Sequence, residues 1–297
     1  MHVLVVGANG LVGSALVRTC LDRRIEVSGT YHTDQPAFDI DLFELDIRDS
    51  ERVREIVADV NPDTVVNCAA YTDVDGCEEN PELARAVNAD APGDIAELCA
   101  DRGIEFVHLS TDYVFDGEAE EPYTEDDEPN PIQVYGETKW AGEQQVLEAA
   151  PEAIICRLSF VWGRHGATGE LEGFPAWVLG GARAEESVPA FTDQYVTPTR
   201  AGYAADVVLD LLGSNAEGVF HVASGECVTP HEFARLVAES VDGVDQDLIV
   251  EGSLNDVDRL ALRPVYTCLS KTWEVPAKDE SQSALVDEVT TAISGKE

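Results

Sequence analysis

The chain has 297 residues, long for one core and suited to a nucleotide-binding domain plus a smaller second lobe. Its 58 acidic and 19 basic residues give a net charge of −39, which argues against a nucleic-acid partner, while 44% hydrophobic residues argue against disorder. No apolar run approaches a membrane span and no signal peptide precedes the first strand, so a cytoplasmic protein is expected. An acidic shell of this size, whose self-repulsion salt would screen, points to a halophilic, archaeal source.

Residues 3–6 (VLVV) read as a buried strand. Gly7, Gly10 and Gly13 follow in a G-x-x-G-x-x-G turn, and apolar residues then recur at helical spacing from Ala15. Strand, glycine-rich turn and helix together are the context of a dinucleotide fingerprint. Gly7 permits the tight turn, Gly10 lets backbone approach a pyrophosphate, and Gly13 lets the helix pack close. The helix N-terminus offers free N–H groups to the phosphates.

Residues 25–31 read as the second strand. The acidic residue that would bind the ribose of NAD is missing from its end, where Thr30, Tyr31 and His32 stand instead. That favours NADP(H), with His32 near the 2′-phosphate, and leaves NAD(H) as the alternative. Residues 43–47 form a short third strand whose Asp46 and Ile47 are placed to contact adenine. Asp49 or Ser50 caps the next helix. Residues 63–70 are an apolar strand ending in the small residues Ala69 and Ala70, and residues 81–102 carry a long helical pattern.

Residues 104–110 form another strand, ending at Ser110, Thr111 and Asp112. Alternating strands and helices predict an α/β fold, a doubly wound parallel (Rossmann) sheet with ligands beyond the carboxyl ends of its strands. The acidic, proline-bearing stretch 118–131 is either a solvated loop or a loop at the site. Tyr135 and Lys139 then lie four apart on one helix face. An ammonium beside a phenol lowers its pKa from about 10 and suits it to general acid catalysis.

Residues 153–159 and 218–223 read as further strands of the main sheet. The irregular, glycine-rich stretch 163–181 and the amphipathic helix from Thr229-Pro230 suit a substrate lobe. The expected division is 1–160 for the dinucleotide-binding domain, with 195–224 returning to it. A smaller, interleaved C-terminal substrate lobe takes 161–194 and 225–297. The seven cysteines are scattered without C-x-x-C and read as reduced core residues. The six histidines form no ligand cluster, so no metal site is predicted.

Together these segments resemble the extended short-chain dehydrogenase/reductases, and within them the dTDP-4-dehydrorhamnose reductase family. The resemblance rests on Gly7 to Gly13, NCAAYTDVD at 67–75, STDYVFDG at 110–117, YGETKWAGE at 135–143, Asp193-Gln194 with Pro198-Thr199, and Arg263-Pro264. It implies that Gly10, Leu11, Val12, Asp46, Ile47, Ala69, Ala70, Tyr71, Leu109, Tyr135 and Lys139 line the cofactor. Thr111 and Asp112 would meet the sugar, with Phe160 near it where the family often has tryptophan.

The implied reaction reduces the C4 ketone of a nucleotide-linked 4-keto-6-deoxy sugar, dTDP-4-dehydro-L-rhamnose above others. Tyr135 would act as acid, Thr111 as hydrogen-bond partner of the same oxygen, and Lys139 as ribose anchor. Two alternatives are a regulatory subunit like the β subunit of methionine adenosyltransferase and a nucleotide-sugar epimerase. The expected partner is a sugar nucleotide, with a homodimer left open.

Overall fold

A computed structural model describes residues 1–214, 216–223, 226–273 and 289–290. In chain order the elements are β1 (His2–Val6), α1 (Leu11–Asp22), β2 (Glu26–Tyr31), β3 (Leu42–Glu44), α2 (Ser50–Val60) and β4 (Thr64–Asn67). There follow α3 (Val74–Glu79), α4 (Pro81–Arg85), α5 (Ala91–Arg102), β5 (Glu105–Thr111), α6 (Val134–Ala149) and β6 (Ile154–Leu158). Next are β7 (Val161–Arg164), β8 (Leu171–Glu172), α7 (Phe174–Arg183), β9 (Val188–Phe191), β10 (Thr199–Arg200) and α8 (Ala201–Leu211). The last are β11 (Gly218–His221), α9 (Pro230–Glu239) and β12 (Ile249–Gly252).

Seven strands form one parallel sheet in the order β11-β6-β5-β4-β1-β2-β3. Its inner strands are apolar on both faces because helices cover both. On one face Val3, Val5, Val66 and Ile154 pack with Leu16 of α1 and Val207 of α8. On the other, Leu4, Val65 and Ile155 pack with Ile56 of α2, Ile95 of α5 and Val146 of α6. A third core joins Trp162, Val178, Val188, Phe233, Val237 and Ile249, drawn from both sides of the α8–β11 return. Among the described residues no helix is long and apolar enough to cross a membrane.

The sequence reads 81–102 as one helical stretch, and the structure breaks it. Residues Ala86–Asp90 form a π turn in which the Ala91 N–H reaches back to the Ala86 carbonyl. Pro92 explains the break, since it has no N–H to continue the regular ladder. The acidic stretch 118–131 is an ordered loop. Tyr123 stacks on Phe115 with ring centroids 4.1 Å apart and donates to Asp116 at 2.7 Å, and residue 123 bridges Leu269.

One cysteine expectation is corrected. Cys227 and Cys268 form a disulfide, with Cα atoms 5.4 Å apart. Tyr195 bridges Tyr266 and Val196 bridges Val228, so two distant segments flank residues 195–196 and bring the thiols together. Cys20, Cys68, Cys77, Cys99 and Cys156 are free.

Candidate active site

The carboxyl ends of β1, β4, β5 and β6 open into a cleft of about 660 Å³. Gly7 sits at its floor with φ +87°, where a Cβ would come within 2.9 Å of the Ala69 backbone nitrogen. A Cβ at Gly13 would lie 2.2 Å from the Gly7 carbonyl oxygen, so α1 can approach β1 only with glycine there. Gly10 differs. A Cβ there would meet only the Gly7 oxygen at 3.6 Å, an ordinary contact, so packing does not demand a glycine. It leaves backbone bare at the N-terminus of α1, which suits a dinucleotide pyrophosphate. Thr30 holds the loop from β2 by accepting the Gly7 N–H at 3.2 Å.

The cofactor, catalytic and sugar residues expected from the sequence line this cleft or a smaller adjoining pocket of about 250 Å³. Gly7, Gly10, Leu11, Val12, Gly13, Leu109, Thr111, Asp112, Tyr135, Lys139 and Phe160 line the first. Thr30, Asp46, Ile47 and Tyr71 line the second, and His32, Ala69 and Ala70 stand at both.

Asp46 gives the second pocket a carboxylate close to where the second strand lacked one, 3.9 Å from His32. The Arg48 guanidinium takes both its oxygens, at 2.5 to 3.1 Å, and these bonds hold the Asp46 carboxyl down at about 2. Arg48 was not identified from the sequence, because its role depends on the turn that folds it back onto Asp46.

Thr111 and Asp112 end β5. The Thr111 hydroxyl donates to Asp112 Oδ1 at 3.1 Å, and Ser159 donates to Asp112 Oδ2 at 2.7 Å. Burial nevertheless pushes the Asp112 carboxyl up to about 6. Phe160, just past β6, has φ +44°, a left-handed conformation that costs a phenylalanine energy and marks the site. Its ring packs on Phe174 with centroids 5.1 Å apart.

Tyr135 and Lys139 share a face of α6, as the spacing requires, but the expected lowering of the phenol pKa is corrected. Burial pushes the Tyr135 phenol above its ordinary value, and the Thr111 hydroxyl offsets only part of this. Lys139 Nζ donates to the Leu109 carbonyl at 2.6 Å and meets His108 Nε2 at 3.2 Å. Burial lowers Lys139 to about 8.

Behind these groups, Arg157 of β6 pairs with Glu143 of α6 at 2.7 Å, and Ser110 donates to the same carboxylate. Asn88, in the π turn, holds the Tyr71 backbone through 2.8 and 3.0 Å hydrogen bonds. Beyond Phe160 the cleft continues into a pocket of about 620 Å³ lined by Tyr113, Phe174, Trp177, Gln194, Arg259 and Arg263. Arg263 is tied to Asp75 at 2.9 Å, which anchors the C-terminal segment to the main domain.

A parallel sheet with a glycine turn after its first strand, and a Thr-Tyr-Lys group at the adjacent strand ends, define a Rossmann-fold reductase of the short-chain type. The comparisons with known proteins narrow the class. Residues 1–292 match the family model described as RmlD substrate binding domain, and the chain belongs to that family.

It is 51% identical over 269 residues to a "Probable low-salt glycan biosynthesis reductase Agl14" of Haloferax volcanii, covering 91% of this chain and 89% of that one. It is 35% identical to a dTDP-4-dehydrorhamnose reductase of Mycolicibacterium smegmatis, covering 91% and 78%. Among solved structures, a dTDP-4-dehydrorhamnose reductase from Clostridium acetobutylicum matches at TM-score 0.81 and 32% identity, covering 91% and 90%. One from Bacillus anthracis, in complex with NADP, matches at 0.84 and 25% identity, covering 99% of each chain.

Proposed function

We propose that this chain uses NADPH to reduce the C4 ketone of a nucleotide-linked 4-keto-6-deoxy sugar, with dTDP-4-dehydro-L-rhamnose as the foremost candidate. The observation that carries the reading is the meeting of Thr111, Tyr135 and Lys139 in one cleft. The glycine turn lies at one end and an aromatic, arginine-bearing pocket at the other. A dinucleotide fits the bare backbone at Gly10 and the adenine-sized pocket at Asp46, Ile47 and Tyr71. Once bound, the reduced cofactor supplies hydride to the carbonyl carbon.

The chain's own residues do the rest. Hydride addition leaves an alkoxide, and Tyr135 protonates it. A phenol whose pKa is raised by burial stays protonated until that acceptor forms. Thr111 hydrogen-bonds the same oxygen as its charge grows. Lys139 holds the nicotinamide ribose. Phe160, with Asp112 behind it, borders the sugar, and Trp177, Arg259 and Arg263 suit a base and a diphosphate. Residues 161–194 and 225–297 would then be the substrate lobe. The 51% relative from Haloferax volcanii and the charge of −39 support a halophilic enzyme.

The test is NADPH oxidation with dTDP-4-dehydro-L-rhamnose, comparing wild type with Tyr135→Phe. The variant is expected to lose about 10²–10⁴-fold in kcat while NADPH affinity is kept. A wild-type chain that oxidises no NADPH on this or a related 4-keto sugar nucleotide refutes the reading. Near-native kcat in Tyr135→Phe removes Tyr135 as the acid.

A further inference from the structure

A turn from beyond the first six sheet strands presses on the glycine turn at the N-terminus of α1. β7 and β8 form an antiparallel hairpin, and residues 165–170 close it. The His165 N–H donates to the Glu170 carbonyl and the Gly169 N–H to the His165 carbonyl, both at 2.8 Å. Gly166 lies so close to α1 that a Cβ there would collide with the Ser14 carbonyl oxygen. Its N–H donates to the Ser14 hydroxyl at 3.0 Å, and Arg18 Nε and Nη2 donate to its carbonyl at 3.1 and 3.0 Å.

His165 is buried beside them and makes the contact that reaches the glycine turn. The Ala167 and Thr168 N–H groups converge on its Nδ1 at 3.3 and 3.4 Å. A backbone N–H only donates, so Nδ1 accepts and carries no proton. The ring proton therefore sits on Nε2. Nε2 lies 3.0 Å from the Asn9 carbonyl oxygen, which only accepts. All three partners are backbone groups, so none can reverse its role.

The Asn9 carbonyl and the Gly10 N–H belong to one peptide plane. The Gly10 N–H donates to the Gly7 carbonyl at 3.1 Å, so the glycine turn holds one end of the plane and His165 the other. The next residues open α1, whose first N–H groups have no intrahelical acceptor. Asn9 lines the cleft, and a rotation of its peptide would swing the carbonyl oxygen toward an incoming phosphate.

We propose that His165 is a positioning residue for the cofactor: it holds the Asn9–Gly10 peptide so that the N-terminus of α1 faces the pyrophosphate. The same hairpin runs on through β8 to Phe174 and Trp177 in the pocket beyond Phe160. One segment thus braces the phosphate turn and borders the sugar pocket.

The proposal rests on the reading of the cleft as a dinucleotide site. The experiment is fluorescence titration of NADPH on wild type, His165→Ala and His165→Gln, with adenosine 2′-monophosphate, which lacks the pyrophosphate, as a displacing probe. His165→Ala is expected to bind NADPH about 3- to 10-fold more weakly, the scale of one hydrogen bond, and to bind the probe as wild type does. The KM for NADPH should rise by the same factor, with a smaller change in kcat. His165→Gln, whose carboxamide NH2 can donate to the Asn9 carbonyl, should recover most of the affinity. Nitrogen NMR of ¹⁵N-histidine-labelled wild type, with His165 assigned by its loss in His165→Gln, should show the proton on Nε2.

Unchanged NADPH affinity in His165→Ala overturns the proposal. So does an equal weakening of NADPH and the probe, because a merely structural role would produce it. A His165→Gln variant no tighter than His165→Ala, or a proton on Nδ1 in the wild type, overturns it as well. Wild-type protein that binds neither NADPH nor NADH overturns the cofactor reading and this proposal with it, whereas wild type that binds while His165→Ala binds equally overturns this proposal alone.

Discussion

Removing Arg157 tests how the polar layer behind the site is held. Arg157 and Glu143 are both about 3 to 4% exposed in their side chains, joined by contacts of 3.0, 3.3 and 2.7 Å. Arg157→Met keeps much of the volume but leaves a buried carboxylate with only Ser110 as a neutral partner. Stranding one member of a buried ion pair costs about 3–5 kcal/mol.

At about 2.1 cal/mol/K per residue, this 297-residue chain unfolds with an entropy of roughly 0.6 kcal/mol/K. The melting temperature should therefore fall by about 5–8 °C. Because salt screens a buried pair poorly, the fall should be similar in about 0.5 M and about 3 M KCl. Replacing both partners, Arg157→Met with Glu143→Leu, should recover most of the loss, since an apolar pair of similar volume is often as stable. Differential scanning calorimetry reads all of this. A fall below about 2 °C in the single variant, or a double variant no better than the single, would refute the reasoning.

Three further outcomes follow from other parts of the molecule. With a charge of −39, the wild-type melting temperature should climb steeply with KCl into the molar range, and a flat or falling curve contradicts the screened-shell argument. Arg48→Ala should free the Asp46 carboxylate beside the second pocket and lower NADPH affinity relative to NADH, read by fluorescence titration of each; an unchanged ratio removes Arg48 from cofactor choice. Asp112 holds its proton to about 6 when folded against 3.8 unfolded, so its stabilising contribution is full below 3.8 and lost as pH rises through 6. Asp112→Asn should therefore gain melting temperature over wild type as pH goes from about 4 to about 6, and a difference that does not grow refutes the assignment.

The sheet was legible because its inner strands are buried on both faces and so read as unbroken apolar runs. The glycine turn was legible because Gly7 and Gly13 answer to local geometry. The cap of α2, which the sequence left between Asp49 and Ser50 and the structure gives to Asp49, and the start of α9 at Thr229-Pro230 were equally local.

What was missed depends on contacts far apart in sequence. The Cys227–Cys268 bond requires residues 195–196 to be flanked on both sides by later chain. The direction of the Tyr135 shift required knowing that the phenol is buried while the Lys139 nitrogen bonds to Leu109. His108 did leave a trace, a polar residue inside the apolar strand FVHLS, but its partners Asn67 and Lys139 come from other elements. Residues 225, 274–288 and 291–297, within the expected substrate lobe, lie outside the described residues.

The charge distribution links the surface to the chemistry. Only 19 lysines and arginines stand against 58 acids, yet Arg48, Lys139, Arg259 and Arg263 all line the connected pockets, with His32 beside them. A dinucleotide and a sugar nucleotide are both anions. A body carrying −39 repels them out to about a Debye length, about 10 Å at 0.1 M salt and 3 Å at 1 M, and is screened beyond it. In a salt-rich medium that repulsion is confined to the immediate surface, and binding depends on direct contacts inside the cleft. Of these, Lys139 is held by a buried hydrogen bond to Leu109, which salt reaches poorly, while the Arg48–Asp46 pair is partly exposed. An acidic exterior and an anion-binding interior are therefore compatible in one chain, provided the salt that stabilises the fold is also present when the ligands approach.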